Sequence, residues 1–428
     1  MNQMRPPLPR GPVLIRGGRL ARPDGSDQAG DILIGADGCI AALGPHLAVP
    51  ETAQLIDASG CLVLPGLVDM HQHLDKTGVL HFAPNPSGTL QGAREAFAAY
   101  ARKAPPGDVT ARASRTLARC LSHGTTAIRS HVNVDKDAGF SGLEALAQLR
   151  GDWADRVRLQ LVGFMTPHPG QDLDWLRANI DRAARLSDAM GGTPAVAEDP
   201  DAYLDILFDA AVRHGLPVDL HLDEHLDATR QLFTKVFDRV RRHDMQGRVV
   251  LSHCSVLSAM PREAFLPIME QIMVLDLGVV TLPAANLYLQ GRDRDMLAPR
   301  GLTRVAEMIR AGVAIATASD NIEDPFVPTG SGDLLEIARW TLLAGHLKGD
   351  ELPLAARMIG QIPARLMGLD DHGLQLGARA DLLIARMADV AADVAALVAG
   401  GPDELRVLAA GRLVSETATR HSFQTCPG

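Results

Sequence analysis

The alternation of apolar and polar positions divides the chain into three stretches. After a loose first dozen residues, VLIRGGRL (13–20) and DILIGADGCIAALG (31–44) read as short strands, rich in Val and Ile and punctuated by Gly and Asp-Gly. CLVLPGLVDMHQHLD (61–75) is an apolar run that ends in polar residues, the profile of a buried strand that delivers side chains to its C-terminal end. From about 64 to 368 the pattern repeats. The runs TTAIRSHV (125–132), RLQLVGF (158–164), LPVDLHLDE (216–224), RVVLSHC (248–254), MVLDLGVVTLP (273–283) and VAIATASD (313–320) read as strands. Segments with helical spacing lie between them, such as 109–124, 201–215 and 302–312. Beyond 370 short Gly-split strands return, at GLQLGARADLLIA (373–385) and LRVLAAGRLVS (405–415).

Repeated strand-then-helix units imply a parallel sheet. Seven or eight units, with His71, His73, His131, His221, His253 and Asp320 all at the ends of apolar runs, fit a closed barrel better than an open sheet. In a barrel those ends converge on one mouth. The expected architecture is α/β: a (β/α)8 TIM-like barrel with a small β-sandwich domain built from both chain ends. The expected boundaries are 1–63 and 370–428 for the β domain and 64–369 for the catalytic barrel.

Composition narrows the function. Hydrophobic residues make up 46% and charged residues 22% of the 428, near the soluble globular average. The formal net charge of −9 argues against nucleic acid as a partner. No run of about 18 uncharged apolar residues suggests a membrane span. The Pro-rich start, MNQMRPPLPRGP, lacks the apolar centre of a signal peptide. Five cysteines without a CxxC pair fit reduced thiols. The expectation is a cytoplasmic protein.

The chemistry starts at His71 and His73. Strand side chains repeat every two residues, so both imidazoles face one side, where they suit a divalent transition metal. An isolated HxH is more often a surface or capping pair. An Asp at the end of a run, such as Asp320, commonly caps the next helix. The joint placement of these residues with His221, Glu224 and His253 gives the metal reading its weight. Cys254 is set aside as a nucleophile, since small buried cysteines are common.

These segments resemble the amidohydrolase superfamily and, within it, the cytosine deaminase group. The matching stretches are LPGLVDMHQHLDK (64–76), GTTAIRSHVNVD (124–135), VDLHLDE (218–224), VVLSHC (249–254), ANLYLQGR (285–292) and ASDNIEDPFVPTGSGD (318–333), with the terminal strands and GxxADLLI at 377–384. The resemblance implies metal ligands at His71, His73, His221 and Asp320. It implies a proton shuttle at Glu224 and a histidine, His253, that supports the attacking oxygen. No Lys ends the strands where binuclear relatives carry a carboxylated one. The implied cofactor is therefore one divalent ion, Zn2+ or Fe2+, with Mn2+ also compatible. Asp320 would have a catalytic part as well as a ligating one.

Two positions depart from cytosine deaminases. Thr166 stands near the family's ring-reading Gln, and Asn321 stands where an Asp usually contacts the ring. Both are expected to bind substrate. SDN followed by VPxGxGD is similar to triazine-pathway N-alkylaminohydrolases. The expected activity is release of ammonia from cytosine or a related aminopyrimidine. The alternative is removal of an alkylamine from a triazine-like ring or opening of a cyclic amide. A barrel that binds metal without turnover is a third reading, disfavoured because binding alone needs no proton shuttle. The expected partner is a small-molecule substrate, and relatives of this kind commonly form homo-oligomers. His168 is a candidate substitute for the missing Gln. Lys76 is expected to be solvated rather than a mouth residue.

Overall fold

A computed structural model describes residues 11–22, 24–167, 173–293, 295 and 300–419. The chain divides into two compact units. One comprises the described residues up to Gly66 together with those from Leu369 onward, the other Leu67–Gly368.

The first unit begins with β1 (Val13–Ala21), β2 (Asp27–Ile34), β3 (Ile40–Gly44), β4 (Gln54–Asp57) and β5 (Cys61–Pro65). The second unit supplies the barrel strands β6 (Leu67–Gln72), β7 (Thr125–Val134), β8 (Arg158–Met165), β9 (Ala189–Gly192), β10 (Val218–Leu222), β11 (Val249–His253), β12 (Gly278–Thr281) and β13 (Ile315–Thr317). The first unit resumes with β14 (Leu382–Arg386), β15 (Glu404–Ala409) and β16 (Arg412–Ala418).

In the first unit β14 pairs antiparallel with β5, which ties the two chain ends into one β-sandwich. The strand order is β16-β15-β14-β5-β1-β2-β3, with β4 on β1. Alternation along these strands sends one set of side chains inward, and Ile15, Ile32, Ile34, Val63, Leu382, Ile384 and Leu408 form the core.

In the second unit the eight strands pair in chain order, β6 through β13, all parallel. The barrel closes where the Asp320 N–H donates to the His71 carbonyl at 2.9 Å. Beside that seam the buried Asp69 carboxylate accepts from the Ser319 N–H and hydroxyl and from Gln72 Nε2. The strands are apolar on both faces, as parallel strands wrapped by helices must be. Helices α1 (Leu90–Ala101), α2 (Asp108–Ser122), α3 (Ser141–Trp153), α4 (Leu173–Leu186), α5 (Pro200–His214), α6 (Phe233–Arg242) and α7 (Arg262–Val274) fall between the strands up to β12. Local chemistry sets their ends. Helix α5 starts with Asp199 accepting from the Ala202 N–H, has Pro200 in its first turn, and stops at Gly215 with φ 66°.

Two local expectations need correction. Residues 273–283 are not one strand: Met273 and Val274 end α7, and only Gly278–Thr281 is extended. Apolar content alone does not separate a helix end from a buried strand. Strand β9 has no counterpart among the expected strands. Its sequence, AMGG, has no β-branched residue to mark it.

Packing explains why β9 carries glycines. A Cβ on Gly191 would sit 2.3 Å from the Asp219 carbonyl oxygen, and one on Gly192 would strike the Tyr203 hydroxyl, itself bonded to the Met165 carbonyl at 2.5 Å. Backbone cannot yield as a flexible side chain can. Gly191→Ala is expected to lower stability by about 1–3 kcal/mol. A denaturant midpoint equal to the parent's would refute the close approach.

Candidate active site

The C-terminal ends of the barrel strands hold the polar residues. His71 ends the apolar part of β6 and His73 follows it. His221 lies on β10, His253 closes β11, and Asp320 lies three residues beyond β13. Several of these ends turn sharply: Asp223, His253, Cys254, Asp320 and Glu323 all have φ between 48° and 68°. Non-glycine residues adopt this region at a cost, and such strain gathers at functional sites.

His71, His73, His221 and Asp320 are all buried and converge. His73 Nε2 is 3.1 Å from His221 Nε2 and 3.3 Å from Asp320 Oδ1, and His71 Nε2 is 3.5 Å from the same oxygen. Bonds of 2.0–2.1 Å to one tetrahedral ion would place its ligand atoms about 3.3 Å apart. His71 Nε2 and both Asp320 carboxylate oxygens are buried without a hydrogen-bond partner among the described residues. Orphaned lone pairs at ligand spacing are what a cation would satisfy, so the residues fit a single divalent metal.

The electrostatics agree. Burial, followed by the charge of Lys76, holds the His73 imidazole well below its usual pKa. Burial and the neighbouring His71 do the same for His221. Both rings are therefore neutral. Burial opposes ionisation of Asp320, but the close approach of His71 and His73 outweighs it and holds the carboxyl well below the usual range.

Support for the cluster comes from residues that local sequence does not mark. His71 Nδ1 lies 2.9 Å from Ser252 Oγ, and that hydroxyl donates to Asp219 Oδ1 at 3.1 Å. A serine has one proton, and the carboxylate takes it. His71 must then donate from Nδ1, leaving the Nε2 lone pair facing the cluster. Asp219 Oδ2 receives Arg129 at 2.9 Å, and His131 Nε2 lies 3.2 Å from Oδ1. His71, His131 and Asp219 form a second close group, with the Asp219 oxygens already engaged.

Glu224 and His253 flank the cluster. Burial pushes the Glu224 carboxyl up to about 8, while Arg94 opposes the rise. His253 Nδ1 is 3.7 Å from Glu224 Oε1 and accepts from Asn286 Nδ2 at 3.0 Å. Its ring proton therefore sits on Nε2, which is buried and has no partner among the described residues. Cys254 is also buried, and burial, with Asp223 nearby, raises its thiol well above the usual range. Such a thiol is no nucleophile.

A cleft opens over these residues. Thr166 and Asn321 both line it. The Thr166 hydroxyl is buried and has no partner among the described residues. Asn321 gives its amide N–H to Asp324 at 2.6 Å, which leaves its carbonyl oxygen for a ligand. Asp324 itself is buried, and burial raises its carboxyl to about 7.

Lys76 departs from expectation. It is 3% exposed, with Nζ 2.8 Å from His73 Nδ1 and 5.4–5.7 Å from the rings of Phe97, Phe164 and Phe326. The stretch after His73 folds inward rather than out, so the side chain joins the cleft wall. Arg94, on α1, also lines the cleft and was not marked by the sequence pattern. His168 lies outside the described residues. No described helix is long and apolar enough to cross a membrane.

Known proteins resemble this chain over most of its length. A family model described as the amidohydrolase family matches residues 54–114 and 109–414. A pterin deaminase of Rhizobium rhizogenes is 32% identical over 83% of this chain and 81% of its own length. The crystal structure of 5-methylcytosine deaminase from Klebsiella pneumoniae, liganded with 5-fluorocytosine, superposes with a TM-score of 0.87 at 27% identity, covering 96% of this chain and 99% of that one. N-isopropylammelide isopropylaminohydrolase from Burkholderia multivorans gives a TM-score of 0.80 at 29% identity over 94% and 98%. With its barrel, its terminal β-sandwich and its histidine–aspartate cluster, the chain belongs to the amidohydrolase family.

Proposed function

We propose that the protein catalyses hydrolytic deamination of a small aminated nitrogen heterocycle, such as an aminopyrimidine or a pterin, with release of ammonia. The observation that carries this reading is the pairing of an unsatisfied metal-competent cluster with Glu224 and His253 at one cleft floor. His71, His73, His221 and Asp320 would hold one divalent ion, Zn2+, Fe2+ or Mn2+, all compatible with three imidazoles and a carboxylate. Such an ion supplies a Lewis acid and lowers the pKa of water from near 16 to about 7.

The chain's own groups do the rest. Glu224 takes a proton from the attacking water and passes it to a ring nitrogen, which makes the adjacent ring carbon electrophilic. A carboxyl raised to about 8 is poised for that traffic near neutral pH. His253 donates from Nε2 to the oxygen as charge develops on it. The Asn321 carbonyl accepts from a ring N–H, with its orientation set by Asp324. Ammonia leaves as the carbon–nitrogen bond breaks, and the new oxygen stays on the ring. The four described cysteines are free, consistent with a cytoplasmic enzyme.

A second reading keeps the machinery and changes the leaving group to an alkylamine. Asn321 favours it, as does the likeness to the isopropylaminohydrolase. Product analysis on metal-reconstituted protein separates the two. The panel holds pterin, cytosine, 5-methylcytosine and an N-alkylamino triazine, with ammonia and alkylamine followed separately. Ammonia from a pterin or pyrimidine is the expected result. Alkylamine from the triazine, with no ammonia from any ring, would replace the first reading by the second.

A further inference from the structure

The cleft wall carries one charge that the protein itself does not use. Arg94 lines the cleft together with Glu224, is half-buried, and has no hydrogen-bond or ion-pair partner among the described residues. The other charged groups of the cleft are all engaged. Asp137 pairs with Arg102 at 3.0 Å. Asp135 accepts from Asn133 Nδ2 and from the backbone N–H groups of Asp137 and Ala138. Lys76 contacts His73, and Asp320 belongs to the metal-competent cluster. Glu224 influences Arg94 through space, yet the two make no ion pair.

A guanidinium drawn out of bulk water with its five donors unspent is costly unless a ligand meets it. Its planar fork matches a carboxylate, two N–H groups to two oxygens. Phe97, Phe164 and Phe326 line the same cleft and give it the apolar surface that a flat ring needs. We infer that Arg94 is a specificity residue that receives a carboxylate borne by the substrate. The substrate class is then an aminated nitrogen heterocycle with an anionic substituent, its amino-bearing carbon at the metal cluster and its carboxylate under α1. This rests on the deaminase reading for the fate of the amino group, but not for the binding of the anion.

The test compares pterin with pterin-6-carboxylate on metal-loaded wild-type protein, Arg94→Gln and Arg94→Lys. Two readouts are taken: kcat/KM for ammonia release, and equilibrium binding from the ring's own fluorescence. Wild type is expected to prefer the carboxylate about 10- to 100-fold, the worth of a charge-assisted contact. Arg94→Gln should collapse that ratio towards one, and Arg94→Lys should keep part of it. A wild type without preference, or a ratio that survives Arg94→Gln, overturns the inference. So does an equal loss on both compounds, which would assign Arg94 to Glu224 instead. Tight, Arg94-dependent binding of the carboxylate without ammonia would uphold the anion subsite and remove the deaminase reading for pterins. Ammonia from both compounds at an Arg94-independent ratio would do the reverse.

Discussion

Glu224→Gln is expected to cut turnover by about 100- to 10,000-fold while bound metal stays at the parent's level. The substitution keeps the size of the side chain and removes its ability to carry a proton. Glu224 lies outside the metal-competent cluster, so the ligands are untouched. Its carbonyl oxygen, which accepts from Gln290 Nε2 at 3.2 Å, is unaffected by a side-chain change. Stability should not fall, because burial already disfavours the charged carboxylate. The checks are steady-state kinetics on ammonia release and metal content by elemental analysis. A variant with full activity would end the shuttle assignment. A variant that lost its metal would make Glu224 part of the ion's environment instead.

Much of the site was legible in sequence because its members sit at the same place in a repeating unit. His71, His221, His253 and Asp320 each close an apolar run, and a parallel barrel converts that shared position into one mouth. Thr166 and Asn321 line the cleft. The partners that orient these residues were not legible. Ser252 bonds to His71 across 181 residues of chain, Arg129 to Asp219 across 90, and Asn286 to His253 across 33. Such pairs are created by strand register, which no local pattern states. Lys76 was misread for a related reason: a lysine beside a polar stretch looks solvated until three phenylalanines from distant segments enclose it. Strand β9 escaped because its glycines are there for close packing rather than for strand propensity.

The support network carries the second large effect. Asp219 and Arg129 form an ion pair with both side chains essentially excluded from water. Asp219→Ala strands the guanidinium, at a cost of about 3–5 kcal/mol. It has a second consequence that burial energy does not cover. Without the carboxylate, the Ser252 hydroxyl is free to donate to His71 Nδ1. That turns the imidazole into the other tautomer, with its proton on Nε2, where the lone pair is needed. Metal affinity should then fall about 10- to 100-fold, the usual price of losing such an outer partner. Replacing both charges, in Arg129→Met with Asp219→Leu, separates the two effects. The stranded charge is gone, so most of the stability should return in a denaturant titration. The Ser252 anchor is still missing, so the affinity for Zn2+ measured by competition with a chelator should stay low. Recovery of both together would mean that Asp219 serves only to neutralise Arg129, and that His71 finds its tautomer without help.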